Sequence, residues 1–459
     1  MSENQKKFVI DCLSNYIRTA LLIDGRLVEL IIEDRNDEPR TGDIYAARVK
    51  DIVKKQYAFI DIGAEKNGFM HLDGRNIQQG QALTVFVEKP AYAEKGCALS
   101  LDISLSGRLA AVTNDGKPVG ISHKITDDET RKRLAEAAKS VLPNGFSCIV
   151  RTNAAESPVE ELQAEISALS AKLLDILEKG QYAKPPCRLY RQEDDALRLI
   201  RDCYADGDEI ISNDREYFDI LSQKYTNVTF YDGALPLFAE YGIETKADKL
   251  LERKVWLDCG GFLIFDYTEA MTVIDVNSGK FTDGKDMRKT ALKANLQAAK
   301  EIACQIRLRN ISGIIAIDFV NMKHKEDIEL LEETLREAIS HDRLKTTYAG
   351  ITSLGIAMLT RQKQSVPLHS LLMCGCKACK GSGETRSPRY ICGKVRNDVI
   401  NIFAQTVYKG VVIKANSGLI DEIKKYADLE NLADKYQKNI AYEIMQTGAY
   451  DYYEVEIIR

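Results

Sequence analysis

The alternation of hydrophobic and polar positions predicts several distinct β-rich and α/β segments along the chain. Residues 7–33 alternate around Asp24-Gly25, a dipeptide that favours the tight turn of a β-hairpin. Between residues 42 and 103, glycine turns separate five short apolar segments at regular spacing, which predicts a small β-barrel. These segments are residues 44–49, 57–62, 68–70, 83–87 and 98–101.

After residue 103 the pattern becomes a mixture of strands and helices. A strand is predicted at 110–112, and a helix is predicted from 159 to 178 because apolar residues recur at helical spacing after Ser157-Pro158. Residues 187–252 alternate helix and strand, which is typical of an α/β layer.

The densest α/β pattern runs from residue 256 to 360. It predicts strands at 262–265, 271–276 and 313–319 and helices at 288–308 and 326–341. A cysteine cluster follows, and residues 386–459 form a small mixed segment that ends in a strand at 453–458.

Composition indicates an ordinary globular protein and excludes a disordered or fibrous one. The chain has 459 residues, of which 45% are hydrophobic and 29% charged. At about 150 residues per domain, this length suggests about three domains. No apolar run approaches the ~18 residues of a membrane helix, and residues 1–7 lack an apolar signal core, so we expect no membrane span and a cytoplasmic location.

The net charge of −5 does not by itself indicate a nucleic-acid partner. Residues 285–309, however, contain seven basic and two acidic residues, a local net charge of +5. A basic helix of this kind suits a polyanionic backbone, although solvated helix faces are often as highly charged.

Two aspartates interrupt apolar segments that we expect to be buried on both faces. Asp275 lies in Val273-Ile-Asp-Val-Asn277 and Asp318 in Ile315-Ala-Ile-Asp-Phe319. Because burying a lone carboxylate is costly, the pair suggests a bound divalent cation, with Asn277 pointing to the same face as Asp275. Such an ion can activate water for attack on a phosphodiester. The alternative is that each aspartate caps a helix or forms a salt bridge.

Three of the eleven cysteines, Cys374, Cys376 and Cys379, lie within six residues. Cys376-Lys-Ala-Cys379, followed by Gly381-Ser-Gly383, has the form of a knuckle that wraps two thiolates around zinc. One knuckle is half of a tetrahedral site, so Cys374 and Cys392 are further candidates, or two chains share one ion. A redox Cys-x-x-Cys is the alternative, and the other eight cysteines are expected to be reduced core residues.

The predicted barrel also carries aromatic and basic residues. Tyr57 and Phe59 share one face of a strand, Phe69 and His71 share one face of another, and lysines lie nearby at 54, 55, 66 and 95. This combination suits the stacking of single-stranded bases, although about half of the aromatic residues of a small barrel belong to its core.

Several of these motifs together resemble the bacterial ribonuclease E/G family. They are the block from Gly261 to Gly279, Gln305-Ile-Arg-Leu-Arg309, Gly313-Ile-Ile-Ala-Ile-Asp-Phe319 and the Cys376-x-x-Cys379 knuckle. The likeness runs nearly from end to end, and the length is nearer to the ribonuclease G branch of the family.

The resemblance implies a magnesium-dependent endoribonuclease that cleaves single-stranded RNA, leaves 5′-monophosphate ends, and acts in rRNA processing and mRNA decay. By resemblance, Asp275 and Asp318 bind Mg²⁺, Asn277 forms a hydrogen bond in that site, and Lys345 lies near the scissile phosphate. The remaining implied RNA contacts are Phe59, Phe69 and Lys95 in the barrel, with Arg151 and Thr152 in a pocket for a 5′-monophosphate. Cys376 and Cys379 of two chains would share one Zn²⁺, which implies a homodimer or homotetramer.

The implied fold is a multidomain α/β and β architecture. An RNase H-like layer, residues 1–37 with 187–252, contains two insertions, an OB-fold barrel at 38–103 and a 5′-sensor region at 104–186. A DNase I-like catalytic subdomain at 253–370, a zinc link at 371–384 and a small C-terminal α/β domain at 385–459 follow.

Four residues depart from the family pattern. Met358 stands in place of a usual Glu, Cys304 and His123 in place of Arg, and Asn321 in place of a common Asp. These departures concern the binding of substrate and the preference for 5′ ends, and they motivate a second hypothesis, an RNA-binding protein with weak or no cleavage. A third, a zinc-knuckle module that binds proteins, rests on the single knuckle alone.

Overall fold

A computed structural model describes residues 5–35, 39–91, 96–279, 287–363, 365–376, 379, 383, 386–405, 407–445 and 451–458. The chain divides into two compact units, Met1–Leu371 and Leu372–Arg459. Among the residues described, no helix is both long and apolar enough to cross a membrane.

The first unit begins with three antiparallel strands, β1 (Lys6–Cys12), β2 (Tyr16–Ile23) and β3 (Arg26–Asp34). The turn between β2 and β3 consists of Asp24 and Gly25, with φ values of +50° and +74°. A two-residue turn with both φ values positive matches the twist of the flanking strands, which confirms the predicted hairpin.

A closed five-stranded barrel follows, as the turn spacing predicts. Its strands are β4 (Ile44–Val53), β5 (Tyr57–Asp61), β6 (Gly68–His71), β7 (Ala82–Lys89) and β8 (Ala98–Ser100). They are joined in the order β4-β5-β6-β8-β7, and β4 also pairs with β7, which closes the ring. Val49, Ile60 and Val85 lie in the barrel core. The architecture is therefore OB-like.

The next segment packs two helices against a four-stranded sheet. Its elements are β9 (Ser104–Ser106), β10 (Ala110–Thr113), β11 (Gly120–Ile121), α1 (Asp128–Val141), β12 (Ser147–Val150), a short 3-10 helix (Thr152–Ala155) and α2 (Val159–Tyr182). The strand order is β11-β12-β10-β9. Helix α2 buries the apolar positions that predict it, among them Leu162, Ile166 and Leu173.

The chain then adds β13 (Cys187–Tyr190) to the barrel, where it pairs antiparallel with β4, and afterwards returns to the first sheet. The next elements are α3 (Asp195–Cys203), β14 (Glu209–Ser212), α4 (Arg215–Ser222), β15 (Val228–Phe230), α5 (Leu237–Glu240) and α6 (Glu244–Lys249). Strand β14 pairs in parallel with β1, so the sheet has the order β15-β14-β1-β2-β3. The barrel and the α1/α2 segment are thus inserted between strands of one sheet, whose RNase H-like identity stays a prediction.

A six-stranded sheet, here called the acidic sheet, forms the rest of the first unit. Its elements are β16 (Lys254–Trp256), β17 (Phe262–Tyr267), β18 (Met271–Asn277), α7 (Met287–Leu308), β19 (Gly313–Asp318), α8 (Lys325–Ser340), β20 (Thr346–Ile351) and β21 (Ile356–Arg361). The order is β16-β17-β18-β19-β21-β20, and β18 and β19 are parallel. Side chains of α7 and α8 share one hydrophobic core with one face of this sheet.

A short helix α9 (Leu368–Leu372) ends this region. The second unit contains α10 (Pro388–Gln405), β22 (Gly410–Ala415), α11 (Ser417–Tyr426), α12 (Leu429–Tyr436), β23 (Asn439–Ile444) and β24 (Tyr453–Ile458). Its sheet has the order β23-β22-β24, and Val395, Val411 and Leu419 are fully buried in its core. It is a small α/β unit. The finer domain boundaries given above stay predictions.

Candidate active site

Asp275 and Asp318 lie side by side on the acidic sheet. They are register partners on the parallel strands β18 and β19, so their side chains point to the same face. Both are exposed, whereas Ile274 and Ile317, which point to the other face, are fully buried. The expectation that both faces are buried was therefore wrong, because α7 and α8 cover only one. The carboxylates avoid the cost of burial and are open to a ligand.

Asn277 is part of the same cluster. Its side-chain amide donates a hydrogen bond of 2.7 Å to Asp275 Oδ2, which orients that carboxylate. In the part of the chain that the structure describes, neither aspartate caps a helix or pairs with a cation. The helix-cap and salt-bridge alternatives therefore find no support.

The donor set of this cluster fits Mg²⁺. This ion usually retains several waters and takes only one or two protein carboxylates. Asp275 and Asp318 supply two carboxylates, and Asn277 supplies an amide oxygen beside them. Within the described residues there is no group of three or more His, Cys, Asp or Glu side chains that could hold a metal, so a site here would rely on water for its other ligands.

Three residues that the sequence patterns did not single out share this face. Through successive strand pairs, Lys254 lies in the same row as Asp275, and Trp256 and Phe262 lie in the row of Asn277. Trp256 is 65% exposed. Lys254 and Trp256 were missed because a three-residue strand is too short to show a period, although Lys-Val-Trp does alternate. Phe262 begins a strand that was predicted, but it was not assigned to a site.

The structure does not bring Lys345 to the acidic pair. Asp318 is level with Ile356 of β21, whereas the main-chain oxygen of Lys345 accepts a hydrogen bond from Gln362 N, at the other end of that strand. Six residues of strand span about 20 Å, which exceeds the reach of a lysine side chain. The expected position of Lys345 near the scissile phosphate is thus not supported by the register.

The basic helix α7 also differs from expectation. It packs on the face of the sheet opposite the two aspartates. Arg288 pairs with Asp327 at 2.7 Å, and Arg309, just after the helix, is only 1% exposed. Arg309 donates to the side chain of Gln305 and to the main-chain oxygen of Glu252. The Gln305–Arg309 motif therefore serves the fold, and the local charge of +5 overstates the basic surface.

The barrel carries its aromatic cluster on the outside. Tyr57 pairs with His71 and Phe59 with Phe69, while the intervening Ala58 and Met70 face the core. The rings of Tyr57 and Phe69 are stacked with centroids 5.3 Å apart, and those of Phe59 and Phe69 are 6.0 Å apart. This face is available for stacking. Lys95 lies outside the described residues.

Arg151 and Thr152 lie where β12 ends. The Thr152 hydroxyl is 3.0 Å from that of Ser122. Arg151 donates hydrogen bonds to both carboxylate oxygens of Asp202, at 3.2 and 3.3 Å. Burial lowers the pKa of Arg151, and Asp202 only partly offsets this effect. The guanidinium group that would bind an anion is thus already hydrogen-bonded to a carboxylate of the same chain.

The cysteine knuckle is described only in part, because residues 377–378 and 380–382 lie outside the described residues. Cys374 and Cys376 are exposed, and the Gly383 N–H donates to Cys379 Sγ at 3.2 Å. An amide donor of this kind stabilises a thiolate, which is the form that binds zinc. Cys392 is 1% exposed in the core of the second unit, and burial raises its pKa, which disfavours it as a zinc ligand.

The other single cysteines are buried or half-buried and free, as expected. Burial raises the pKa of Cys97 to about 11, so this thiol is protonated at neutral pH.

The four departures from the family pattern lie in different environments. Met358 is half-buried on the open face of the acidic sheet, opposite Ala316, and Asn321 is exposed just after β19. Cys304 is half-buried on α7, and His123 is exposed next to Ser122. Met358 is the departure that shares the face of the acidic pair.

Comparisons with known proteins place these features in a family. A model described as Ribonuclease E/G family matches residues 104–364. Ribonuclease G of Haemophilus influenzae is 29% identical over 429 residues, 86% of this chain and 87% of that protein. Ribonuclease G of Escherichia coli K12 is also 29% identical, with 86% and 88% covered. Ribonuclease E of Haemophilus influenzae is 33% identical over 83% of this chain, which spans only 44% of that relative.

Proposed function

Because this chain belongs to the ribonuclease E/G family, we propose that it is an endoribonuclease that cleaves single-stranded RNA with Mg²⁺ and leaves 5′-monophosphate ends. The observation that carries the proposal is the pairing of Asp275 with Asp318 on an exposed sheet face. Two exposed carboxylates held by adjacent strands repel each other unless a cation lies between them. Their juxtaposition is thus best explained by a bound cation.

In this proposal, Asp275, Asp318 and Asn277 hold the metal. When bound there, Mg²⁺ supplies an activated water and neutralises charge on the phosphate. The protein holds the ligands in place: the Asn277 amide restrains Asp275, and the strand pairing fixes the spacing of the two carboxylates. The open face leaves room for an RNA strand beside them.

The barrel would bind the RNA away from the cleaved bond. Phe59 and Phe69 present ring surface on its outer face, on which unpaired bases can stack. Lys95 belongs to the same expected contact set. Since its register separates Lys345 from the acidic pair, we assign Lys345 to the RNA backbone at a distance from the cleaved phosphate, rather than to catalysis.

We further propose that Arg151 and Thr152 bind a 5′-monophosphate. A guanidinium and a hydroxyl are suitable donors for a terminal phosphate. The Asp202 carboxylate accepts hydrogen bonds from Arg151, so a 5′-phosphate must compete with Asp202 for that guanidinium.

Zinc and assembly complete the proposal. Cys376 and Cys379 would supply two thiolates to a Zn²⁺ shared with a second chain, forming a homodimer or a homotetramer. Substrates in rRNA processing and mRNA decay and a cytoplasmic location are the setting that the family membership suggests.

A cleavage assay tests the proposal. The purified chain is incubated with a 5′-monophosphorylated, A/U-rich oligonucleotide in Mg²⁺ and in EDTA. We expect internal cleavage only with Mg²⁺, and a loss of about 100-fold or more in Asp275→Asn and Asp318→Asn. Glu269→Gln, which changes an exposed acid in the turn that precedes β18, is the matched control and should cleave normally. Cleavage that persists in both aspartate variants would contradict the assignment.

The same assay separates the second candidate, an RNA-binding protein with weak or no cleavage. Met358 on the open face, where relatives usually carry Glu, favours it. It predicts salt-sensitive RNA binding that survives Asp318→Asn, without cleavage in Mg²⁺ by the unmodified chain. Robust metal-dependent cleavage eliminates it.

A further inference from the structure

Trp256, the only tryptophan of the chain, lies on the edge strand of the acidic sheet. The side chain of Val255 packs against the hydrophobic core, so the alternation of the strand directs Lys254 and Trp256 to the opposite, open face. An indole that is 65% exposed forgoes much of the burial that normally stabilises a tryptophan. Stability of the fold therefore does not explain the outward position of this side chain, and a role in binding does.

Trp256 is part of an ordered arrangement. Its ring meets that of Phe262 edge to face, with centroids 5.3 Å apart. The ammonium group of Lys254 lies 3.7 Å from the centroid of the Trp256 ring and 3.8 Å from that of Phe262. Among the described residues, no carboxylate pairs with Lys254. The cluster thus combines aromatic surface with a positive charge that no described acid neutralises.

This cluster adjoins the proposed metal site. Trp256, Phe262 and Asn277 form one cross-strand row, and Lys254 and Asp275 belong to the neighbouring row on the same face. Trp256 is two strands from Asn277, or about 10 Å between main chains. One nucleic-acid strand can contact both.

We propose that Trp256, Phe262 and Lys254 form a subsite for one unpaired base of the RNA beside the bond that is cleaved. This inference rests on the proposed function. The indole stacks on the base, Phe262 fixes the indole, and Lys254 faces the sugar-phosphate backbone. Only an unpaired base offers a free face and edge here, so the subsite also contributes to selection of single strands.

Intrinsic fluorescence provides a direct test because Trp256 is the single tryptophan. The full-length chain is titrated in EDTA with the A/U-rich oligonucleotide, and binding is followed in parallel by the anisotropy of a labelled copy. We expect quenching of tryptophan emission that saturates together with the anisotropy. In Mg²⁺, Trp256→Ala should raise KM roughly 5- to 100-fold with little change in kcat, and Trp256→Phe should recover most of the loss.

Tyr182→Ala is the matched control, since Tyr182 is an 83% exposed aromatic at the end of α2, and its KM should equal that of the unmodified chain. If RNA binds and is cleaved while tryptophan emission and the KM of Trp256→Ala stay unchanged, the subsite is overturned and the proposed function stands. If Trp256 is shielded from acrylamide in the free protein in a concentration-dependent manner, it lies in a protein contact and the subsite is likewise overturned. If the unmodified chain neither binds nor cleaves RNA, both proposals fail.

Discussion

The ion pair of Asp342 and Arg361 is buried beside the acidic sheet, with the side chains 4% and 2% exposed. Burial alone would raise the pKa of Asp342, but the Arg361 guanidinium, the Thr346 hydroxyl and the Leu344 N–H hold it below its usual value. Arg361 also donates to the main-chain oxygen of Ile311. The pair joins the end of β21 to the segment after α8, and the contact with Ile311 joins it to the segment after α7.

This pair predicts a pH-dependent stability. Because the pKa of Asp342 is lower in the folded than in the unfolded state, its contribution is complete above the unfolded value and is lost as the pH falls. We expect Asp342→Asn to lower the free energy of unfolding by about 3–5 kcal/mol at neutral pH. In urea titrations, the difference from the unmodified chain should be equal at pH 7 and 5 and smaller at pH 3.5. A difference independent of pH would contradict this interpretation.

Asp202 supports a second prediction at this scale. It accepts hydrogen bonds from Arg151 at the proposed 5′-phosphate pocket. Asp202→Asn removes the competing negative charge and should strengthen the preference for 5′-monophosphate RNA. The KM for 5′-hydroxyl RNA divided by the KM for 5′-monophosphate RNA should therefore rise about 10-fold. Asp175→Asn, which breaks an exposed pair with Lys179 on α2, is the control and should leave the ratio unchanged. A lower ratio in Asp202→Asn would show that Asp202 helps to build the pocket.

At the scale of elements, two glycines lie in backbone conformations for which an added side chain has opposite consequences. Gly25 has a φ of +74° in the turn between β2 and β3, where a side chain is strained. Gly393 lies inside α10, exposed, with open space around its Cβ position.

The matched pair Gly25→Ala and Gly393→Ala tests this assignment. We expect Gly25→Ala to destabilise the first unit by about 1 kcal/mol and Gly393→Ala to stabilise the second by about 0.5–1 kcal/mol, because alanine favours a helix and disfavours a positive φ. Calorimetry of the full chain should show shifts of opposite sign. Shifts of equal sign would contradict the turn or the helix assignment.

Elements with a clear helical period or a regular turn spacing were predicted, whereas the isolated strand β16 and the helices α1 and α10 were not. The helix predicted at 159–178 is Val159–Tyr182, and the strand predicted at 453–458 has those bounds. Strand β16, with three residues, was not predicted. A pattern of period two needs several repeats before it can be recognised, so the edge strand that carries Trp256 was not recognised.

At the scale of the whole molecule, the shared zinc site predicts an assembly. Removing zinc with a chelator, or replacing Cys376 by Ser, should lower the mass in light scattering to a smaller species, and the native protein should contain one zinc ion per two chains. Cys374→Ser tests the remaining ligand candidate. Cys374 is also exposed but stands outside the knuckle, so if Cys376 and Cys379 are the ligands, the mass of this variant should be that of the unmodified chain. Equal masses for the unmodified chain, the chelated chain and Cys376→Ser would contradict a shared ion.

The sequence alone predicted the hairpin, the small barrel, the helices α2, α7 and α8 and the family, and it identified Asp275, Asn277 and Asp318 as a set. These features depend on local periodicity, turn chemistry and spacing, which a linear chain records. The structure contains the hairpin, the barrel and these helices, and the comparisons show the family.

Only the tertiary structure decided which surfaces these residues share. Register across strands set Asp275 against Asp318, moved Lys345 to the far end of the sheet and brought Trp256 and Lys254 to the open face. The packing of α7 and α8 on one side decided that the acidic pair is exposed. The physical reason is that strand pairing and helix packing join residues distant in sequence, and no local pattern records which partners will meet.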